Sequence, residues 1–282
     1  MDHFNYNGKI FPANSAIIGP DNRGLRYGDG LFETMKFKNN SLILIDEHLS
    51  RLWKGMQQLQ MDIPKHFTPD ILQEQILTVL KKNKQDTARV RVAVFRGNGG
   101  LYDTRDLSIQ YVIQSWPLTT DHAILNENGL QVCIYTDAKK MIDSFSNIKH
   151  NNFLPYLMSA LFAKQKQCND AIILNNHERI CDSSIANVFA IHNRTIHTPA
   201  LSEGCIAGVM RKFVLQSLAG NGYNINEAEI TIEFLLDADE VFFTNSIYNL
   251  RWVAGIETKT YSNNLTAEIF KTLLQTNPTI FC

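Results

Sequence analysis

The alternation of apolar and polar positions is sharpest over residues 87–95. There Val90, Val92 and Val94 face one way, and Arg89, Arg91, Ala93 and Phe95 face the other. A period of two marks a β-strand with one buried face. The same reading predicts strands over 32–37, 41–45, 108–115, 130–136, 171–174 and 240–243, and a hairpin over 3–11 turned at Asn7-Gly8. Elsewhere the period lengthens to that of a helix. Leu49, Leu52, Met56 and Leu59 form an apolar stripe behind Asp46, which is placed to cap that helix. His48 and Arg51 lie off the centre of the stripe, so chemistry alone makes Arg51 a surface residue. Thr68-Pro69, a cap followed by proline at the first helical position, opens a second helix with Ile71, Leu72, Ile76, Val79 and Leu80 on its core face. Further helices are predicted over about 153–166 and from 209 through Leu218.

A chain of 282 residues is long for one core, which implies two domains or one large α/β domain. Pro117-Leu118-Thr119-Thr120-Asp121 is the best linker candidate, so the expected division is 1–117, a linker at 118–122, and 123–282. No internal repeat or low-complexity tract intervenes. A net charge of -1 argues against a nucleic-acid-binding field, and no apolar run of membrane-spanning length occurs. No basic region followed by an apolar core opens the chain, so the expected location is the cytoplasm. Its 5 cysteines, at 133, 168, 181, 205 and 282, contain no CxxC pair, which argues against a zinc knuckle or a disulfide framework.

Candidate chemistry starts at Asn147-Ile148-Lys149-His150-Asn151-Asn152, between a strand and a helix. A lysine held there and partly desolvated can form a Schiff base with an aldehyde cofactor. Three glycines in Gly24-Leu25-Arg26-Tyr27-Gly28-Asp29-Gly30 require a tight bend or a close backbone approach. The lack of a following GKS or GKT excludes a phosphate P-loop. Arg89 and Arg91 on one strand face suit either a carboxylate clamp or a solvated surface. The stretch 96–100, Arg-Gly-Asn-Gly-Gly, reads as a flexible loop. Asp182 to Asn187, small and polar between two apolar strands, suits a ligand contact or an ordinary bulge. Gly204-Cys205-Ile206-Ala207-Gly208-Val209-Met210-Arg211 opens a helix, either as an anion site at its N-terminus or as a plain turn. Thr244-Asn245-Ser246 ends a strand in groups that can also hold a phosphate.

Together these segments resemble the class IV aminotransferases, pyridoxal-phosphate enzymes of fold type IV. That family includes branched-chain and D-amino-acid aminotransferases and aminodeoxychorismate lyase. The resemblance runs over nearly the whole chain. It rests on Tyr27-Gly28-Asp29-Gly30-Leu31-Phe32-Glu33-Thr34, His48-Leu49-Ser50-Arg51-Leu52, Lys149 followed by Asn152, Asp182 to Phe189, Thr198-Pro199 with Gly204 to Arg211, and Thr244-Asn245-Ser246. It implies a two-domain α/β (α+β) fold like that of D-amino-acid aminotransferase, with the lysine in the second domain and the cofactor in the cleft. It also implies a homodimer and a small-molecule amino substrate. Pyridoxal 5'-phosphate would be held by Lys149, Arg51, Asp182, Asn187, Val209, Met210 and Ser246. Tyr27, Phe32, Arg91 and Ile247 would meet the substrate.

Asp182 stands where the family usually has glutamate, as partner of the pyridine nitrogen, with Glu178 as a fallback. The sequence is most like aminodeoxychorismate lyase, which releases pyruvate to give the folate precursor 4-aminobenzoate. An amino-acid transaminase is the alternative. The Arg-Gly-Tyr that lyases often carry is replaced by Leu101-Tyr102-Asp103 after Gly99-Gly100, which counts against the lyase if that arginine holds a substrate carboxylate; Arg91, Arg96, Arg26 or Arg105 could substitute. A non-catalytic relative would be expected to lack Lys149, and the lysine is present.

Overall fold

The computed structural model describes residues 1–102, 107–119 and 123–281. The chain divides into two compact units, Met1–Thr120 with Ile148–Asn152, and Asp121–Asn147 with Phe153–Cys282. Arg105, Cys282 and residues 120–122 of the expected linker lie outside the described residues.

The first unit starts with a hairpin, β1 (His3–Tyr6) and β2 (Lys9–Pro12), turned by Asn7 and Gly8 at φ 49° and 86°. There follow α1 (Arg23–Tyr27), β3 (Gly30–Lys38), β4 (Ser41–Leu42), α2 (Ile45–Gln58), α3 (Pro69–Lys82), β5 (Ala88–Arg96) and β6 (Ile109–Pro117). The strands form one antiparallel sheet in the order β2-β1-β6-β5-β3-β4. Val90, Val92 and Val94 are fully buried and share a core with Leu49, Leu52 and Met56 of α2 and Leu72, Ile76 and Val79 of α3. Thr68 caps α3 as expected, its hydroxyl accepting the Ile71 N–H at 3.3 Å. Asp46 does not cap α2. The strand ends early at Leu42, and Leu44 takes the cap position in a left-handed conformation. Asp46 instead lies in the first turn, where a carboxylate still meets the positive end of the helix.

Residues 148–152 join this first unit, contrary to the expectation that Lys149 belongs with the later half of the chain. Ile148 is buried in the α2–β3 core. The Phe32 N–H donates to the Lys149 carbonyl at 2.9 Å, and the Asn151 N–H donates to the Gly30 carbonyl at 2.8 Å. An apolar anchor and two backbone bonds thus set this short segment against β3.

The second unit contains β7 (Leu130–Lys140), α4 (Leu154–Gln165), β8 (Asp170–Asn175), β9 (Ile180–Ser183), β10 (Asn187–His192) and β11 (Thr195–Pro199). It continues with α5 (Val209–Gly220), β12 (Ile225–Ala228), α6 (Ile232–Asp237), β13 (Glu240–Asn245), β14 (Asn249–Ile256), β15 (Lys259–Thr260) and α7 (Asn264–Thr276). Its mixed sheet runs β12-β11-β10-β13-β14-β7-β8-β9, with β15 on β14. Parallel pairing of β7 with β8 and β14 buries both faces, and β8 is buried at every position. β7 runs past the expected end at 136 to Lys140, which carries a lysine into the interior. Both units are mixed α/β, as the pattern of elements required. No helix among the described residues is long and apolar enough to cross a membrane.

Candidate active site

In the first unit, the glycine-rich bend exists for close approach. Gly28 ends α1 at φ 65°. A Cβ on Gly30 would sit 2.5 Å from the Val94 carbonyl oxygen and 2.6 Å from Asn151 Nδ2, so only glycine lets β3 lie this near residues 148–152. Lys149 is half-buried there, its Nζ 4.8 Å from the centre of the Phe32 ring. The Arg91 guanidinium lies 4.2 Å from the same ring. Arg89 stacks on Trp116 instead, at 4.6 Å, so the two arginines keep separate partners and do not form a clamp.

Behind this face, Glu33 is 1% exposed and binds Arg51 through both carboxylate oxygens, Nε at 2.7 Å and Nη2 at 2.6 Å. His48 Nδ1 lies 2.6 Å from Oε2 of the same carboxylate. Burial alone would raise the Glu33 pKa, but Arg51 and then His48 outweigh it and hold it at about 2. Burial pushes the His48 pKa down, only partly offset by Glu33, so the ring is neutral and its Nδ1–H donates. His48 Nε2 is buried without a hydrogen-bond partner among the described residues. Arg51 is therefore not the plain surface residue that chemistry alone suggests. His48 is fully buried, and Arg51 is anchored on a buried carboxylate. The cause is Glu33, which alternates with Phe32 along β3 and so points to the α2 side.

Asp29 draws in two other arginines, Arg23 at 2.9 Å and Arg96. Arg96 also donates to the Leu59 carbonyl, so it is committed to structure. Residues 97–100, expected as a loop, are hydrogen-bonded to Asp21 and Arg23. The Arg23 N–H donates to the Gly97 carbonyl, the Gly99 N–H to the Asp21 carbonyl, and the Arg23 guanidinium to the Gly100 carbonyl. Arg26 and Arg23 both stack on Tyr27, with Arg26 at 5.1 Å. Of the candidate arginines described, Arg91 is the one beside Phe32 and hence near Lys149.

In the second unit the centre is Asp182 of β9, 2% exposed. Its Oδ2 accepts from the Tyr156 hydroxyl at 2.7 Å, the Ile206 N–H at 2.9 Å and the Lys140 ammonium at 3.3 Å. Its Oδ1 accepts from the Asn187 amide at 2.8 Å. Burial, then the Asp182 charge, push the Tyr156 pKa well above the usual phenol value, which keeps the hydroxyl a donor. Burial pushes Cys205 up to about 12 and Cys181 well up, so both remain thiols. Glu178, the fallback partner, sits in an exposed turn and pairs with Lys139, outside this cluster.

Next to Asp182 is the start of α5. Gly208 occupies the N-cap position and no side chain caps the helix. A Cβ on Gly208 would lie 1.9 Å from Asn187 Oδ1. Val209 and Met210, buried at 5% and 1% exposure, open the helix where backbone N–H groups lack helical acceptors. Asn187 faces Thr244 in the β10–β13 register, and the Thr244 hydroxyl is buried without a partner among the described residues. An uncapped helix start and an orphaned hydroxyl supply donors suited to an anion. The Asn245 side chain accepts the Ile247 and Tyr248 N–H groups at 2.9 and 2.8 Å, shaping the turn that carries half-buried Ser246 and buried Ile247. The sequence reading did not single out Glu33, Lys140 or Tyr156. Tyr156 lies in the first turn of α4, and Lys140 is the last residue of β7, beyond the end at 136 that the sequence pattern predicts.

The model of the amino-transferase class IV family matches residues 30–256. The chain belongs to the class IV aminotransferases. It is therefore an enzyme of that family, which includes both lyases and transaminases among its relatives. It is 29% identical over 236 residues to an aminodeoxychorismate lyase of Vibrio harveyi, covering 83% of this chain and 85% of the relative. It is 24% identical to a D-alanine aminotransferase of Bacillus licheniformis, covering 94% and 92%. The fold matches that of the branched-chain amino acid aminotransferase from Escherichia coli. The TM-score is 0.87 at 19% identity, over 99% of this chain and 94% of that one. This class IV aminotransferase thus has the fold type IV architecture that the motifs implied.

Proposed function

We propose that this class IV aminotransferase binds pyridoxal 5'-phosphate and converts aminodeoxychorismate to 4-aminobenzoate and pyruvate. The cofactor reading rests on the uncapped, buried α5 start beside the orphaned Thr244 hydroxyl, a donor set that fits a phosphate. A branched-chain aminotransferase of the same fold, crystallised with pyridoxamine 5'-phosphate, supports it. When bound, this cofactor accepts the electron pair left behind when a proton leaves carbon. Lys149 would hold it covalently through Nζ and then move the substrate proton. Arg51, the N–H groups of Val209 and Met210, and the hydroxyls of Thr244 and Ser246 would hold the phosphate. Asp182 would face the ring nitrogen, with Asn187 and Tyr156 fixing its carboxylate. Arg91 would bind a substrate carboxylate over Phe32, and Tyr27 and Ile247 would shape the remaining contacts.

The lyase reading is supported by the Vibrio harveyi relative and the Gly-Val-Met-Arg helix start. A second reading, amino-acid transaminase, is favoured by the D-alanine aminotransferase relative and by Leu101 after Gly99-Gly100. The deciding assay incubates the cofactor-loaded protein with aminodeoxychorismate, and separately with D- and L-amino acids plus 2-oxoacids. Appearance of 4-aminobenzoate supports the first reading. Amino transfer without it selects the second. Lys149→Ala should lose cofactor colour and turnover while its thermal midpoint without cofactor holds, and full activity in that variant would sink the assignment of Lys149.

The same proposal includes a homodimer working in the cytoplasm. Leu154, Leu157, Met158 and Leu161 are exposed at helical spacing on α4, an apolar stripe suited to a second copy, and the described cysteines are free thiols. Light scattering at twice the chain mass is the expected result.

A further inference from the structure

We infer that Lys140 is a positioning residue that shares the charge of Asp182 and limits how strongly this carboxylate holds a protonated ring nitrogen. The inference rests on the cofactor reading above. Lys140 ends β7 with 6% exposure, its ammonium 3.3 Å from Asp182 Oδ2 and 5.2 Å from the centre of the Tyr156 ring. The two oxygens of Asp182 are unequally used. Oδ2 takes Lys140, Tyr156 and the Ile206 N–H, with the Cys181 thiol at 3.9 Å. Among the described residues, Oδ1 takes Asn187 alone.

A carboxylate oxygen accepts in two main lone-pair directions, so Oδ2 is saturated and Oδ1 keeps acceptor capacity. A ring N–H would therefore be met by Oδ1, while Lys140 stays on Oδ2. Asp182 is then neutralised before any cofactor arrives, which removes the penalty of an unpaired buried carboxylate in the empty protein. The consequence on binding is competition. A protonated ring would be the second cation on one carboxylate, and the repulsion between the two weakens its hold. Tyr156 and the Ile206 N–H carry no charge, so they orient Asp182 without this effect.

The test measures the affinity of the cofactor-free protein for pyridoxal 5'-phosphate and for an analogue with carbon in place of the ring nitrogen. Their ratio reports the ring-nitrogen contact alone. Lys140→Met should raise that ratio by about tenfold or more, since one competing charge at short range is removed. Lys140→Arg keeps the charge and should restore the wild-type ratio. Asp182→Asn should give the lowest ratio. Lys140→Gln, which keeps a donor to Oδ2 without the charge, makes the same comparison where the methionine variant does not fold. In the cofactor-free protein, Lys140→Met and Asp182→Asn should each lower the melting midpoint, and the double variant should regain most of the loss. An unchanged ratio in both charge-removing variants overturns the role of Lys140 with the cofactor reading intact. Failure of the wild-type protein to bind pyridoxal 5'-phosphate overturns the reading beneath it.

Discussion

Glu33→Gln isolates the buried charge that holds Arg51. Glu33 is 1% exposed and takes both nitrogens of the Arg51 fork, with His48 on the same carboxylate. Its pKa falls from 4.5 to about 2 on folding, because Arg51 and His48 outweigh the opposing effect of burial. A depressed folded pKa stabilises the fold above pH 4.5, and the contribution is lost as pH falls from 4.5 through 2. The shift corresponds to about 3 kcal/mol at neutral pH. The glutamine variant should therefore be less stable by about that amount at pH 7, and by more if Arg51 is left poorly paired. The gap should close towards pH 2, where the wild-type carboxyl also carries a proton.

Urea unfolding of the cofactor-free proteins at pH 7, 5, 4 and 3 measures the gap directly. His48, whose folded pKa is also depressed, contributes its own loss as pH falls below 6.5. Running the pair in a His48→Gln background removes that second titration. A gap that stays constant from pH 7 to 3 would refute the electrostatic account and leave only a packing defect.

Arg51→Lys keeps a positive charge beside Glu33 but loses the fork by which Glu33 fixes the side chain's direction, so the cation is no longer aimed at the phosphate and the cofactor should bind about 1.5–3 kcal/mol more weakly, with a smaller loss of stability in the cofactor-free protein than in Glu33→Gln. Equal cofactor affinity would remove Arg51 from the phosphate site. Asp182→Asn should slow loss of the substrate proton by orders of magnitude with cofactor still bound, and Asp182→Glu should retain part of the activity. Glu178→Gln, in its exposed turn, should change little; single-turnover absorbance kinetics separate these cases, and a crippling Glu178 change would reverse the assignment. Gly208→Ala puts a methyl group into Asn187 Oδ1, which must move away from Asp182 and Ile206. The expected result is a lower melting midpoint and weaker cofactor binding, and an unchanged midpoint would show that the helix start shifts freely.

The sequence alone determined what local chemistry determines. The alternating valines of β5, the Asn7-Gly8 hairpin and the Thr68-Pro69 helix start depend on neighbours a few residues away, and each is where its pattern put it. The order of the motifs was enough to recognise the family. Tertiary structure decided which charges are buried and what they face. Arg51 reads as a surface position on α2 because the carboxylate that anchors it, and that His48 also meets, stands on β3. Lys149 belongs with β3 because Ile148 enters that core, although the lysine follows β7 in sequence. Lys140, Tyr156 and Asn187 meet Asp182 from three separate elements. A hydrophobic period records only which face of one element is apolar, whereas a buried ion pair forms where two faces from distant segments meet, and no single period carries that.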